Sequence, residues 1–294
     1  MPKLKANFVA DWNAHLRSCL ISEQRWSANE VVALQDEYVA SYYFDAQRRR
    51  IAISPRTIRV ADSFSCPLDQ EIGWAILQEK IRNGEDINPH LSDRHASLHN
   101  RDGLLAEWGV HHFHLGTIPY PKNPIYVDRT GPLLFARVEH KIFYAINVYD
   151  HHSFEDLDIL ESIHRNWPEL IKHYQVKAVT KGVWDKKHRR ELRRKNGNIL
   201  TVVSDGTVYM PITGGVMASG INAEALRQAD YWYFKIRDFQ FDIEKKLDSL
   251  LPALIQCGYA GEDEIEAELK LFSETSAQVL FPRYNVIAKV KIVK

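Results

Sequence analysis

The residues of this chain whose types and spacing lend themselves to chemistry crowd into one segment, Asp102-Gly103-Leu104-Leu105-Ala106-Glu107-Trp108-Gly109-Val110-His111-His112-Phe113-His114-Leu115-Gly116. On an extended backbone His112 and His114 point to one face and His111 to the other. His151 follows later, near the same expected strands. Two imidazoles on one face bind a metal if Asp150 or His151 supplies a third ligand, yet no complete ligand motif accompanies them. Neither a metal nor any other cofactor is therefore expected. The same side chains also suit metal-free cleavage of RNA. Activating the 2′-hydroxyl requires a base near neutral pKa, an acid for the leaving oxygen and cations around the phosphate. Histidine supplies the first two roles, and the arginine fork matches phosphate oxygens. Arg129 and Arg137, with Tyr144 on an adjoining strand, are expected to join the histidines, so the candidate catalytic set is His112, His114, Arg137, Tyr144 and His151. The plainer reading is structural: the histidines hydrogen-bond in a satisfied interior while Trp108, Phe113, Leu115 and Tyr144 pack in the core.

A second feature is electrostatic. Residues 181–195 hold eight Lys or Arg against Asp185 and Glu191. If helical, Lys186, Arg190 and Arg193 share one side and Arg189 and Arg194 broaden it, a surface able to neutralise several phosphates. Lys187 belongs to the same run, and Trp184 stands beside it as a base-stacking candidate. A solvated helix end explains the run equally well. The Gly-rich stretch 213–220 precedes a helix, so its amides are placed to face an anion, but it is neither GxGxxG nor a Walker A loop. A plain strand-to-helix connection is expected there.

Several elements must position these groups. Residues 7–48 read as helix, with Ser27 and Glu30 spaced as a capping box. Residues 50–65 read as an extended connection, and 70–83 as a helix ended by Gly84. Residues 132–139 and 141–149 read as two strands of a hairpin around His140, followed by a helix over 154–174 that Pro168 kinks or ends. A second hairpin over 198–204 and 207–212 is signalled by Asp205-Gly206, and Asn222 is placed to cap a helix. Near the end, 264–271 and 285–293 alternate apolar and charged residues, which predicts two antiparallel strands paired with each other. The expected class is α+β: a helical N-terminal region over 1–100, a central hairpin plus helix with the histidine block over 101–176, and a C-terminal α+β region with the basic segment over 177–294.

Composition bounds the partners. The 38 basic and 38 acidic residues cancel, so no nucleic-acid or membrane affinity follows from global charge. Three widely spaced cysteines without a CxxC pair argue against a disulfide framework, and a reducing cytoplasm is the expected location. No window of about 18 residues is apolar enough to cross a bilayer, and no membrane partner is expected.

The segment from Ile87-Asn88-Pro89-His90-Leu91-Ser92 through the histidine block resembles one found in uncharacterised bacterial proteins, as do Leu133-Leu134-Phe135-Ala136 and Asn166-Trp167-Pro168-Glu169. That resemblance covers about a third of the chain and implies no activity. The hairpin bearing Arg137 and Tyr144 is similar, in its basic and tyrosine residue types, to the sheet of RelE-type toxins, small bacterial endoribonucleases that cut mRNA. The resemblance implies RNA or the ribosome as partner and a toxin- or defence-associated endoribonuclease as function. Two other readings stand beside it: a non-catalytic interaction or regulatory protein that binds a protein partner, and a metal-dependent hydrolase.

Overall fold

The apolar periodicity at the start of the chain becomes three helices, the second starting after Ser27 as read. After the short strand β1 (Lys3–Lys5), α1 (Phe8–Ser22) is capped by Asn7, whose Oδ1 accepts the Ala10 amide at 3.0 Å. Then follow α2 (Ala28–Val32) and α3 (Asp36–Arg48); Ser27 is the N-cap of α2, but its side chain makes no capping hydrogen bond. The structure, a computed structural model, describes residues 2–98, 102–177 and 185–292. The chain divides into two units, Met1–Phe44 with Leu226–Lys294, and Asp45–Ala225. The boundaries expected after residues 100 and 176 both fall inside the second unit, because the first is assembled from the two ends of the chain.

The second unit is built on a four-stranded sheet. Its elements are β2 (Thr57–Val60), α4 (Glu71–Asn83), α5 (Gly103–Trp108), β3 (Val110–His114), β4 (Leu133–Val138), β5 (Ile142–Tyr149), α6 (Leu157–Asn166), α7 (Lys186–Arg194), β6 (Thr201–Val202) and β7 (Val208–Tyr209). The strand order is β2-β5-β4-β3, with β2 parallel to β5 and the other pairs antiparallel. β2 lies in the stretch read from sequence as a connection. In β4, Leu133 and Phe135 pack on one face with α6 and Trp108, while Leu134 and Ala136 pack on the other with Trp74, Leu77 and Ile81 of α4. Helices therefore cover both faces, which is why Leu133 to Ala136 of β4 run apolar without alternating.

Local signals end the helices. α4 stops at Gly84, in the left-handed region at φ 72°. α6 is shorter than the helix expected over 154–174: the residue before Pro168 is pushed out of helical geometry, and two one-turn 3-10 helices, Pro168–Leu170 and Lys172–Tyr174, follow. β6 and β7 pair antiparallel around Gly206, as the turn dipeptide signals.

In the first unit the chain resumes with α8 (Ala223–Lys245), whose first residues still belong to the second unit, then α9 (Leu247–Gln256), β8 (Glu264–Glu266), β9 (Glu268–Phe272), β10 (Ser276–Phe281) and β11 (Val286–Lys291). The expected direct pairing of the two alternating segments is corrected here. The acidic segment breaks at Ala267: β8 pairs in parallel with β1, and β9 and β11 flank β10 in a three-stranded antiparallel sheet. The intervening strand, centred on buried Val279, was not foreseen, because its flanking residues Gln278 and Leu280 are neither charged nor strongly patterned. The apolar face is otherwise as read, with Ile265, Ala267 and Leu269 packed against Phe8 and Val279; Leu271 is exposed.

Candidate functional site

The histidine block is held between two helix-terminus signals and a sheet edge. Asp102 Oδ1 accepts the Leu105 amide at 2.9 Å and starts α5, and Gly109, at φ 67°, ends it and turns the chain into β3. A side chain at Gly116, just past β3, would meet the carbonyl oxygen of Asp128 at 2.2 Å, so only glycine lets the loop 117–131 fold back there. His112 is paired with Phe135 of β4 and His111 with Ala136, which confirms that the two point to opposite faces. Because β3 is an edge strand, both faces reach the same open space: His111, His112, His114 and His151 all line a cavity of about 940 Å³. Its described lining holds seven arginines and five carboxylates, so it is net positive in a chain of zero net charge.

Each ring has a defined environment. His114 Nδ1 accepts the Thr130 amide at 3.2 Å, which puts its proton on Nε2. Burial first, then the like charge of Arg129 and the neighbouring His112 and His151, push its pKa down to about 3. His111 donates from Nε2 to the Arg48 carbonyl at 3.3 Å; burial, partly opposed by Asp102, lowers it to about 4. Its Nδ1 is buried with no hydrogen bond among the described residues. His112 is also lowered by burial, while the Asp102 carboxylate opposes the shift. Asp102 Oδ2 lies 3.6 Å from His112 Nδ1, too far for a hydrogen bond but close enough for the charge to act. His111, His112 and His114 are thus neutral at neutral pH. The edge of Phe154 meets the His112 ring at 5.0 Å between centroids, and the His114 and His151 rings are 6.1 Å apart. His151 is exposed, on a turn where Asp150 Oδ1 accepts the His152 amide.

Arg129, which the sequence also singled out, lines the same cavity, and its charge acts on His112 and His114. It pairs with Asp93 at 2.6 Å, and its guanidinium lies 5.1 Å from the Tyr120 ring and 5.9 Å from that of Tyr126.

Arg137 and Tyr144 face each other across β4 and β5, but neither lines the cavity. Arg137 sits opposite Val110, at the far end of β3 from His114, where it binds Glu139 at 2.8 Å and approaches the Trp108 carbonyl. Tyr144 is buried against Trp167, with ring centroids 4.9 Å apart. Arg129, by contrast, follows the loop back to the edge of the sheet and joins the histidines.

The basic run is helical in α7, but its faces are not all solvated. Arg189 is 1% exposed and, with Arg193, grips the buried carboxylate of Glu107, both guanidiniums lying over the Trp108 ring. This corrects the expectation of one broad phosphate-facing surface: a buried Glu107 requires paired cations, and α7 supplies them. Lys186 pairs with Asp156 and Arg190 with Glu155. Lys187, Arg190 and Arg194 remain exposed at i, i+3 and i+7, and Arg190 and Arg194 border the cavity. Trp184 lies outside the described residues. Four amides of the Gly-rich stretch donate within the protein, Gly214 to the Pro211 carbonyl, Val216 to Asn198 Oδ1, Met217 to the Ile221 carbonyl and Gly220 to the Met217 carbonyl, and at the start of α8 Glu224 and Ala225 donate to Asn222 Oδ1.

Asp102, Glu107 and Tyr120 were not singled out by sequence reasoning. A lone glutamate inside Leu104-Leu105-Ala106-Glu107-Trp108 was nonetheless a signal, since an acid in a buried run needs a partner. Among the described residues no three His, Cys, Asp or Glu side chains converge as a metal-binding group, no helix is long and apolar enough to cross a membrane, and all three cysteines are free. Comparison with protein-family models, curated proteins and solved structures finds no match to this chain.

Proposed function

We propose that the cavity at the edge of β3 is a metal-free RNA-cleaving site of a cytoplasmic protein. The observation that carries this reading is the convergence of His112, His114 and His151 with Asp102 and Arg129 on one net-positive cavity. In the proposed reaction His112, whose basicity the Asp102 charge supports, removes the proton of a ribose 2′-hydroxyl. The 2′-oxygen forms a bond to phosphorus as the bond to the 5′-oxygen breaks. His151, exposed where it lines the cavity, is the acid that gives a proton to that leaving oxygen. Arg129 and the Nε2 proton of His114 face the phosphate oxygens, where negative charge builds. The products are a 2′,3′-cyclic phosphate and a free 5′-hydroxyl. Arg137 and Tyr144 take no step in it.

The test is incubation of the whole chain with single-stranded RNA and with mRNA on ribosomes, in chelator, with analysis of the new ends. Cleavage that leaves a cyclic phosphate and disappears in His112→Ala and His151→Ala, with both variants folded, is the expected result. No cleavage of any RNA, free or on ribosomes, overturns the enzymatic reading.

A second reading, binding to RNA or to an acidic protein partner without cleavage, is favoured by the aromatic packing of the block. His112 meets Phe135 and Phe154, and His111 meets Phe113. It predicts affinity without turnover and a loss of stability, rather than of activity, on replacing the histidines.

A further inference from the structure

The loop between β3 and β4 carries an aromatic platform that the proposed cleavage chemistry does not use. Residues 118–128 fold back as a small hairpin: Pro119 bridges Val127, the Tyr120 amide donates to the Tyr126 carbonyl at 2.8 Å, and the Asp128 amide donates to the Ile118 carbonyl at 2.8 Å. The Val127 amide ties this hairpin to the Pro89 carbonyl at 3.0 Å. Tyr126 is buried, whereas Tyr120 is half-buried and lines the cavity. Arg129 lies over both rings and is fixed from a third side by Asp93. The same arginine is close enough to His112 and His114 for its charge to depress both imidazoles. Ile118 and Ile125, large apolar residues of this hairpin, are exposed.

This arrangement sets a phosphate-matching cation beside an aromatic ring in the same cavity as the histidines. A nucleobase is flat, apolar on its faces and attached to the phosphate that the arginine would take, and every base has a face to stack. We propose that Tyr120 is the base-stacking platform of the cavity, so that its substrate is single-stranded RNA, with the base next to the scissile phosphate laid on the Tyr120 ring while Arg129 holds the phosphate. The inference rests on the RNA-cleaving reading above and names the substrate form that reading leaves open. Bases in a duplex are stacked on their neighbours and withheld from such a ring; an unpaired base is free to turn onto it.

The experiment measures binding apart from cleavage. Its probe is a 2′-O-methyl dinucleoside monophosphate, which cannot transfer its 2′-oxygen, alongside the same compound lacking the adjacent base and the same step within a duplex. The full chain is expected to bind the intact probe about 5- to 150-fold more tightly than the abasic one, the range that stacking on one aromatic ring supplies. It is expected to discriminate against the duplex. Tyr120→Ala removes the preference for the intact probe and leaves affinity for the abasic probe unchanged, and Tyr120→Trp restores it. If Tyr120→Ala weakens both probes equally, the ring serves only to place Arg129 and the stacking proposal falls. Cleavage by the parent with no base preference overturns the platform alone; a base preference without cleavage overturns the enzymatic reading alone. Failure to bind any probe overturns both.

Discussion

Asp102 faces His112 with one carboxylate oxygen, 3.6 Å from Nδ1, while its other oxygen caps α5 through the Leu105 amide. One side chain thus fixes where the block begins and sets the charge beside its central imidazole. The two tasks separate by substitution. Asp102→Asn keeps a good N-cap but deletes the charge, so stability is expected to change by less than about 0.5 kcal/mol. His112 then loses the interaction that raises its pKa. If His112 is the base, the acid limb of the pH–rate profile moves to lower pH. Asp102→Ala additionally loses the cap, about 1 kcal/mol by denaturant unfolding. An unmoved acid limb in Asp102→Asn would separate Asp102 from the chemistry.

Glu107 is buried between Arg189 and Arg193. Glu107→Gln leaves two buried guanidiniums without a counter-charge and is expected to destabilise the protein by about 3 to 5 kcal/mol. Arg190→Ala, which breaks an ion pair whose arginine is 55% exposed, should shift stability by no more than about 1 kcal/mol. Urea titration of the two variants compares them directly. Equal effects would mean that Glu107 is not the anchor of α7.

Three buried histidines make stability depend on pH. His90, His111 and His114 are lowered by burial to about 4, about 4 and about 3. His90 is fully buried and donates to the His114 carbonyl at 2.9 Å. In the unfolded chain each takes up a proton near the ordinary value of about 6.5, whereas in the folded chain it does so only at much lower pH. The unfolded state therefore binds more protons as pH falls below about 6.5, and stability drops, levelling off only near the folded values. At pH 5 the loss is at most about 2 kcal/mol for each group. Urea midpoints at pH 7 and pH 5 check this, and His111→Gln should flatten the dependence. Identical midpoints for the parent at the two pH values contradict the burial of these rings.

The exposed side of α7 is expected to hold phosphates at the mouth of the cavity. Replacing Lys187, Arg190 and Arg194 together by Glu should weaken RNA binding. The steepness of its salt dependence should fall by about 0.7 for each phosphate of a single strand that is no longer neutralised. Arg189 and Arg193 are unsuitable for this test, since their removal would unfold the Glu107 site. Superimposable salt series for the variant and the parent would remove α7 from the interface.

Sequence alone determined the local elements wherever short-range chemistry is sufficient. Gly84 ends α4, Asn222 caps α8, Asp205-Gly206 turns a hairpin, and alternation on β3 separates His111 from His112, because each outcome depends on backbone freedom, capping or side-chain period within a few residues. Which alternating strands would pair was not local: β10 enters between β9 and β11, and β8 leaves for β1 at the other end of the chain. The histidines stood out by type and spacing, but which groups share their cavity was decided by β3 lying at the sheet edge. That position opens both faces of the strand to one space and admits Arg129 from the returning loop, while Arg137 is left at the opposite end. The basic run was equally visible, yet whether a cation faces water or a buried carboxylate depends on what another segment brings against it. Eighty-two residues separate Glu107 from Arg189, and only burial, which makes an unpaired carboxylate too costly to keep, joins them.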